Sequence, residues 1–540
     1  MLVSIALRAG IASIPLERDE GGYAYIAQRW LAGDIPYRDS FDQKPPATIM
    51  AYAALFFFGG TSIEALHWFG HAFLLASIGF LYLIGRRQFS HTVGWLGALA
   101  GVVLVMDSSV LGNATNTEVI AILPLTAGMY LSLSGPQRGS LSQSACAGIA
   151  GGLALCSKQV TLPIVALYAL LIVIGCRPLP KVALAQSAVP RTSPSWRRHV
   201  ICFVMGVGSV LALTCLYFVW QGAWQPFYEC VVGYNFTYGS QVRLRDYSAV
   251  FLERVKPLVN VQWPILIFVL PALVDAITGR ARSLWPFLAW WLCSFLAVSV
   301  GGYYREHYFI LLLLPTAILS AYGLMWVGER FSFMQPQRQA AVATGLALLA
   351  CAWPVWQHRE YYFANRPEHA CRTLYGFNPF PESISVAERL RQLTGPDDTI
   401  YVFGSEPQIL FYAERRNASR YIYVYPLFMG SHDRAERQIS VVRELRRNQP
   451  RFIVVVTRHV PTSFLRKPDS PGILETELDR MLQADYLAFA VVEVSRDWNY
   501  RLIEGVRGDD GRVQFSPDPD ETPTLQIWER RASASTSASD

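Results

Sequence analysis

Long apolar runs separated by short basic connectors occupy the first two thirds of the chain. About 20 apolar residues cross a bilayer as a helix, so these runs predict membrane-spanning helices. They lie near 65–85, 92–111, 118–134, 145–157, 161–176, 200–220, 262–278, 284–300, 307–327 and 340–356. A shortened span within residues 1–16 raises the predicted number to about eleven, and its brevity places the expected true start upstream of Met1.

The basic connectors orient these spans. They are Arg86 with Arg87, Arg138, residues 177–198, Arg280 with Arg282, and Arg330 with Arg338. With eleven spans, all of these connectors fall on one side, which the positive-inside rule identifies as the cytoplasm. The N-terminus is then cytoplasmic, and residues 17–64, the turn at Lys158, 221–261, 301–306 and everything after 356 lie outside.

The first external loop predicts two short helices. Residues 22–33 place apolar side chains on one helical face, as in a helix lying at the membrane interface. These side chains are Tyr23, Ile26, Ala27, Trp30 and Leu31. Residues 47–58 are apolar but too short to span, which indicates a second interfacial or re-entrant helix.

The last third alternates helix and strand patterns. Residues 383–393 and 435–447 have helical periodicity, whereas 399–403 and 452–457 are short apolar strands. This alternation predicts a soluble α/β domain with a partly parallel sheet. We therefore divide the chain into a membrane domain (1–356), an extracytoplasmic domain (357–531) and a disordered Ser/Ala-rich tail (532–540).

Composition supports this division. Of the 540 residues, 52% are hydrophobic and 16% are charged, whereas soluble proteins carry roughly 25% charged residues. The net charge of +6 is spread over connectors and the tail, so no nucleic-acid partner is expected. The nine cysteines show no metal-ligand spacing and predict no disulfide framework.

Two adjacent carboxylates, Asp19 and Glu20, stand directly before the first interfacial helix. At the outer membrane face a carboxylate can deprotonate a hydroxyl or hold a divalent cation. The alternative is a helix-favouring N-terminal charge. Asp42 and Lys44 belong to the same loop, and several ionisable groups at one bilayer face favour a site over a purely structural role.

Three cations on this predicted side, Lys44, Lys158 and Arg305, are suited to a lipid phosphate. A lysine that snorkels to the interface is the alternative for Lys44.

Three further residues on the same side are candidates for the cavity. Glu118 either completes the acidic cluster or begins a helix. Tyr303 and His307 either line the cavity or belong to an aromatic belt.

The same segments resemble a known group of enzymes. Arg18-Asp19-Glu20-Gly21, then 33–37 (GDIPY), then Lys44-Pro45-Pro46 look like the first external loop of GT-C glycosyltransferases. The similarity is greatest to the family 39-like branch, which contains protein mannosyltransferases and bacterial aminoarabinose and galacturonic-acid transferases. Residues 152–161 and 305–315 resemble later segments of that branch.

The resemblance implies a GT-C membrane domain in the bacterial inner membrane. It implies inverting transfer of a sugar from a polyprenyl-phosphate donor to an acceptor hydroxyl at the extracytoplasmic face. By similarity, Asp19 is the catalytic base or a member of the acidic cluster, with Glu20 beside it, and Lys44 and Arg305 meet the donor phosphate. It specifies neither sugar nor acceptor.

Two other functions stay open at the level of sequence: a lipid-linked saccharide transporter (flippase) and a surface-polysaccharide ligase. A transporter would distribute its cations along a cavity between two halves, and a ligase would carry its key groups in a large late external loop. The clustering of ionisable residues directly after the first apolar stretch favours the glycosyltransferase.

Overall fold

The computed structural model describes residues 2–135, 139–176, 195–331, 335–363, 366–429, 433–466, 468–507, 513–515 and 521–531. The predicted tail 532–540, Arg138 and residues 177–194 of the basic connectors lie outside these ranges. The helices up to residue 357 are α1 (Leu2–Ala9), α2 (Arg18–Leu31), α3 (Ala47–Phe57), α4 (Ile63–Gln88), α5 (His91–Val105), α6 (Thr117–Ser134), α7 (Leu141–Ser157), α8 (Leu162–Gly175), α9 (Trp196–Trp220), α10 (Trp224–Tyr228), α11 (Tyr234–Gly239), α12 (Tyr247–Leu266), α13 (Val269–Ile277), α14 (Trp285–Ser299), α15 (Ile310–Glu329) and α16 (Pro336–Gln357).

The remaining part of the chain combines helices with strands. In chain order the elements are α17 (Arg359–Tyr362), α18 (Pro367–Tyr375), α19 (Phe380–Leu393), β1 (Thr399–Phe403), α20 (Pro407–Ala413), β2 (Arg416–Asn417), α21 (Tyr425–Phe428), α22 (Arg434–Asn448), β3 (Phe452–Val456), α23 (Ile473–Asp485), β4 (Tyr486–Val494), β5 (Tyr500–Glu504), β6 (Val506–Arg507), β7 (Val513–Gln514) and β8 (Thr522–Arg530).

The predicted spans fall on helices, but these helices differ in length. Among the described residues, five are long and apolar enough to cross a membrane: α4, α6, α9, α15 with the turn before it, and α16. α12 and α13 together form a sixth candidate, bent by 72° where one continuous span was predicted. Pro264 inside α12 removes a backbone donor just before this bend, which weakens the helix there. The helical membrane fold is confirmed, with several apolar helices shorter than a full span.

The N-terminal stretch differs most from its predicted form. α1 has eight residues, a rise of roughly 12 Å, which is less than half of the hydrocarbon thickness. Arg8 is buried and donates from Nη1 to the Asn113 carbonyl (2.7 Å) and from Nε to the His67 carbonyl (2.9 Å). This buried guanidinium satisfies carbonyls of α4 and of the α5–α6 connection, so one face of α1 is fixed to the bundle while Leu2 and Val3 stay exposed.

The apolar face of α2 contacts protein where the pattern predicted lipid. Tyr23, Ile26 and Ala27 are fully or almost fully buried, and α2 packs between α3 and α20. The Tyr25 hydroxyl accepts a hydrogen bond from the Asn417 backbone N–H at 2.8 Å. The first external loop and the C-terminal domain therefore share one hydrophobic core.

The C-terminal sheet has the order β2-β1-β3-β8-β4-β5. β1 pairs in parallel with β2 and β3, as the sequence predicted, whereas β8 pairs antiparallel with both β3 and β4. The predicted helices 383–393 and 435–447 correspond to α19 and α22. The small α/β domain is thus confirmed, and its antiparallel half (β4, β5 and β8) was not foreseen.

Candidate functional site

A cavity of about 840 Å³ lies between one end of the helical bundle and the C-terminal domain. Its wall combines the first external loop, residues 108–111, parts of α11 and α12, and residues 305–308 with the segments 357–380 and 423–429. The orientation predicted from the basic connectors places nearly all of these segments on one side of the membrane. The fold brings them together at one cavity.

Asp19 enters this cavity from the first turn of α2. Glu17 caps the helix, because its carboxylate accepts hydrogen bonds from the backbone N–H groups of Asp19 (3.0 Å) and Glu20 (3.3 Å). The first turn of a helix favours a negative charge. The Asp19 side chain is 26% exposed and lines the cavity, so a carboxylate is held rigidly where a ligand can reach it.

Lys44 is the immediate partner of Asp19. Its Nζ lies 3.3 Å from Asp19 Oδ2 and donates to the Tyr23 hydroxyl at 3.0 Å. Its backbone is fixed as well: the N–H donates to Asp42 Oδ1 and the carbonyl accepts from the Tyr37 hydroxyl, both at 2.8 Å. The loop thus presents one ammonium beside one carboxylate in a fixed geometry.

Asp19 and Asp42 have different pKa values because burial and neighbouring charges act on them to different extents. Burial raises the pKa of Asp19, but the Lys44 ammonium, with His307 and Arg18, outweighs burial and holds it below its usual range. For Asp42, burial dominates and raises the pKa to about 6. Asp42 Oδ2 is buried without a hydrogen-bond partner in the described structure. Asp19 therefore stays ionised to a lower pH than Asp42 does.

A second cation, Arg305, faces the cavity from the connection before α15. Its guanidinium lies 6.0 Å from the centre of the Tyr303 ring and has no ion pair or hydrogen bond within the described part of the chain. The neighbouring Glu306 pairs with Arg254 at 2.8 Å, and His307 Nδ1 is buried and unpartnered among the described residues. Arg305 is thus available to an incoming anion.

Glu20 does not line the cavity. It is completely buried and its Oε1 accepts from the Thr115 backbone N–H at 2.6 Å. His67 Nε2 lies 3.2 Å from the same oxygen. Glu20 also completes the capping box with Glu17, so its contacts orient α2 and its carboxylate does not face the cavity where a substrate would lie.

Lys158 and Glu118 form an ion pair with each other, and both are buried. The Lys158 ammonium also lies 3.5 Å from the ring centre of Tyr308, which lines the cavity. Tyr303 stacks on Tyr238 at 4.5 Å between ring centres and donates to its carbonyl. Lys158, Glu118 and Tyr303 were predicted to belong to the site, but they do not line the cavity. Lys158 and Tyr303 instead contact Tyr308 and Tyr238, which do line it.

Several lining residues had not been singled out from sequence. Tyr423 and Tyr425 come from the C-terminal domain and stack on each other with 6.1 Å between ring centres. Arg18 pairs with Glu406, which joins the start of α2 to the same domain. No local motif indicates the two tyrosines, because the sheet domain that carries them joins the loop only through the tertiary fold.

The described residues contain no preformed site that could bind a divalent cation. Their His, Cys, Asp and Glu side chains include no group of three or more placed to hold a metal ion.

Residues 43–196 match the family model described as dolichyl-phosphate-mannose-protein mannosyltransferase. A search of curated proteins finds no match.

Solved structures resemble most of the chain. The structure of ArnT from Cupriavidus metallidurans bound to undecaprenyl phosphate superposes with a TM-score of 0.58 at 14% identity, covering 93% of this chain and 96% of that one. Its apo state gives 0.54 at 13% identity with the same coverage. The oligosaccharyltransferase AglB from Archaeoglobus fulgidus, in complex with an inhibitory peptide and a dolichol-phosphate, gives 0.50 at 10% identity, covering 97% and 75%. The resemblance to the GT-C superfamily is thus confirmed at the level of the fold.

Proposed function

We propose that this multi-pass membrane protein of GT-C fold is a glycosyltransferase that moves a sugar from a polyprenyl-phosphate donor to an acceptor hydroxyl. The observation that carries the proposal is the ionised Asp19 beside Lys44 in a cavity that also contains Arg305, which has no ion pair among the described residues. The polyprenyl phosphates bound to ArnT and AglB support the choice of donor.

In this proposal the leaving group is already activated, because the sugar is bonded through C1 to a phosphate oxygen. The acceptor oxygen forms the new bond to C1 from the opposite face, and the electron pair of the breaking C1–O bond goes to the phosphate. Asp19 accepts the proton of the acceptor hydroxyl. The anomeric configuration inverts because the displacement occurs in one step.

The cations act on the charge that develops on the departing phosphate. Arg305 offers a planar set of donors, which suits phosphate oxygens. Lys44 adds a second charge and keeps Asp19 ionised. Such groups, placed before the reaction begins, stabilise the transition state more than the ground state. Two positive groups and one base therefore suffice, without a nucleotide.

The proposal also includes the side of the membrane on which the reaction takes place. The cavity lies at the end of the bundle that the positive-inside rule assigned to the extracytoplasmic compartment, together with the C-terminal domain. We place the reaction there, in the bacterial inner membrane, with the N-terminus in the cytoplasm. A membrane lipid, a glycan or a protein can supply the acceptor hydroxyl.

The test uses purified protein in liposomes. Undecaprenyl phosphate carrying labelled mannose, galacturonic acid or aminoarabinose is offered with and without a bacterial envelope extract as acceptor. We expect acceptor-dependent release of undecaprenyl phosphate from at least one donor. Release should be lost in Asp19→Asn. Asp39→Asn is its matched control, because Asp39 lies in the same loop, pairs with Arg38 and does not line the cavity.

The same assay addresses the alternatives. A flippase would move the intact labelled lipid between leaflets with no release of undecaprenyl phosphate, and that result would remove the enzymatic proposal. A surface-polysaccharide ligase would use oligosaccharide carried on a polyprenyl diphosphate and would leave all three monophosphate donors intact.

A further inference from the structure

A second polar cluster lies at the same cavity, where the α5–α6 connection meets the end of α16, with Ser108 and His358 in the cavity wall and Asp107 buried behind them. It consists of Asp107, Ser108 and His358, and the proposed transfer uses none of them. His358 Nδ1 lies 3.0 Å from Asp107 Oδ2 and 2.8 Å from Ser108 Oγ. The Asp107 side chain is completely buried, whereas that of His358 stays 24% exposed.

The contact with Asp107 fixes which nitrogen of His358 carries the proton. A carboxylate oxygen only accepts, so Nδ1 is the donor. In the neutral imidazole, Nε2 then has a lone pair and is a hydrogen-bond acceptor. Nε2 makes no hydrogen bond to a described residue, and His358 lines the cavity. An acceptor nitrogen is thus available to a ligand.

Asp107 itself has a fixed orientation. Its Oδ1 accepts from the Ser109 backbone N–H at 2.9 Å and from the Ser109 hydroxyl at 2.5 Å. One oxygen is therefore committed to Ser109 and the other to His358. This arrangement holds the imidazole in one orientation and one tautomer.

Two neutral amides line the cavity together with this imidazole, beside charged groups that include Glu360 and the Arg254–Glu306 ion pair. Asn260, on α12, and Gln357 line the cavity with exposed amides, and α12 packs against both α16 and the 108–110 turn. Phosphate binding is better served by the cations Lys44 and Arg305. Amides and an acceptor nitrogen instead match hydroxyl groups, which both donate and accept.

We propose that His358 Nε2 accepts a hydrogen bond from a saccharide hydroxyl, and that Asp107 is the residue that positions it. This inference rests on the proposed function, since it needs a sugar in the cavity. The hydroxyl belongs to the sugar of the acceptor or to that of the donor, and the chemistry of recognition is the same for both.

Asp107→Asn tests the tautomer directly. Ser109 keeps the amide oxygen at the Oδ1 position, so the amide N–H₂ points at His358 Nδ1 and requires it to accept. Nε2 then becomes a donor, with little change of shape. ¹⁵N NMR of the imidazole should report a proton on Nδ1 in the wild type and on Nε2 in Asp107→Asn.

Binding is measured with the methyl glycosides of glucose, galactose and mannose as probes, by saturation-transfer NMR on the detergent-solubilised protein. We expect glycoside signals in the wild type and signals at least about fivefold weaker in Asp107→Asn and His358→Ala, the loss that about one hydrogen bond produces. Affinity for undecaprenyl phosphate should not change. Glu360→Gln, a neighbouring change at the cavity wall, should leave the glycoside signals intact.

Steady-state kinetics separate the two sources of the hydroxyl. In His358→Ala, a higher KM for the envelope extract identifies the acceptor sugar, and a higher KM for the donor identifies the donor sugar. Wild-type protein without glycoside signals, or His358→Ala with undiminished signals, would overturn the inference. Undecaprenyl phosphate release by the wild type would then still support the proposed function, so the two failures are distinguishable. If Asp107→Asn does not fold, His358→Ala decides.

Discussion

The contact between Lys44 and Asp19 makes a quantitative prediction about the pH dependence of turnover. Lys44→Met removes the ammonium while keeping most of the side-chain length. At the observed 3.3 Å, two unit charges interact by about 1.3 kcal/mol at the dielectric constant of water and about 5 kcal/mol at an effective value of 20. Asp19 is 26% exposed, so we expect a value towards the lower end of this range.

The sign follows from the two opposing effects on Asp19. Burial raises its pKa and the Lys44 charge lowers it, so loss of that charge leaves burial less opposed and moves the pKa upward. One pKa unit corresponds to about 1.4 kcal/mol, which gives an upward shift of about 1 to 2 units. A base must be deprotonated to act. As the pH is lowered, Lys44→Met should therefore lose activity at a higher pH than the wild type does.

The assay is the pH profile of kcat/KM for undecaprenyl phosphate release, which reports ionisations of the free enzyme. Lys44→Met is also expected to bind phosphate more weakly. Weaker binding by itself lowers kcat/KM equally at every pH, so only a change in the pKa of Asp19 moves the acid limb. Lys44→Arg keeps the charge and should keep the limb in place. An acid limb at the same pH in Lys44→Met and wild type would refute the assignment of Asp19 as the base that Lys44 tunes.

Three further predictions concern neighbouring groups. Arg305→Ala should weaken undecaprenyl phosphate binding by roughly 10- to 100-fold, the loss of a charge-assisted hydrogen bond, in a titration where the connector variant Arg282→Ala binds normally. Glu118→Gln leaves the buried Lys158 ammonium without its partner and should cost about 3 to 5 kcal/mol of stability, partly recovered when Lys158→Met is added; equal melting temperatures of all three proteins would contradict this. Asp42, with its pKa raised to about 6, takes up a proton more readily in the folded than in the unfolded state, so stability should increase by up to about 3 kcal/mol as pH falls from 7 towards 4. Asp42→Asn should flatten that part of the melting-temperature profile, and an unchanged slope would count against the burial argument.

The parts of the site that are local along the chain could be predicted from the sequence. Asp19, Asp42 and Lys44 lie within one loop, and their joint presence was readable from that loop alone. Arg305 and His307 were assigned to the same side because the basic connectors oriented the spans. Apolar runs and charge asymmetry were therefore sufficient to predict the helical membrane fold and the gathering of these residues at one end of it.

The features of the site that depend on tertiary packing could not be predicted from the sequence. The periodicity of α2 was correct, but the same apolar face suits lipid or a protein partner, and the structure supplies α3 and α20. Glu20 is adjacent to Asp19 in sequence, yet the helical turn of about 100° per residue directs it towards Thr115 and His67. The pairing of Lys158 with Glu118 joins the residue that follows α7 to the first turn of α6, which no spacing along the chain indicates.

The most direct test of the account is the turnover number of Asp19→Asn at saturating donor, measured beside its affinity for undecaprenyl phosphate. The amide keeps the size of the side chain but cannot accept the acceptor proton as a base. We predict a fall in kcat of roughly 100-fold or more, the size of a general-base contribution, with the lipid still bound. Wild-type turnover in Asp19→Asn would contradict the central claim that this carboxylate performs the chemistry.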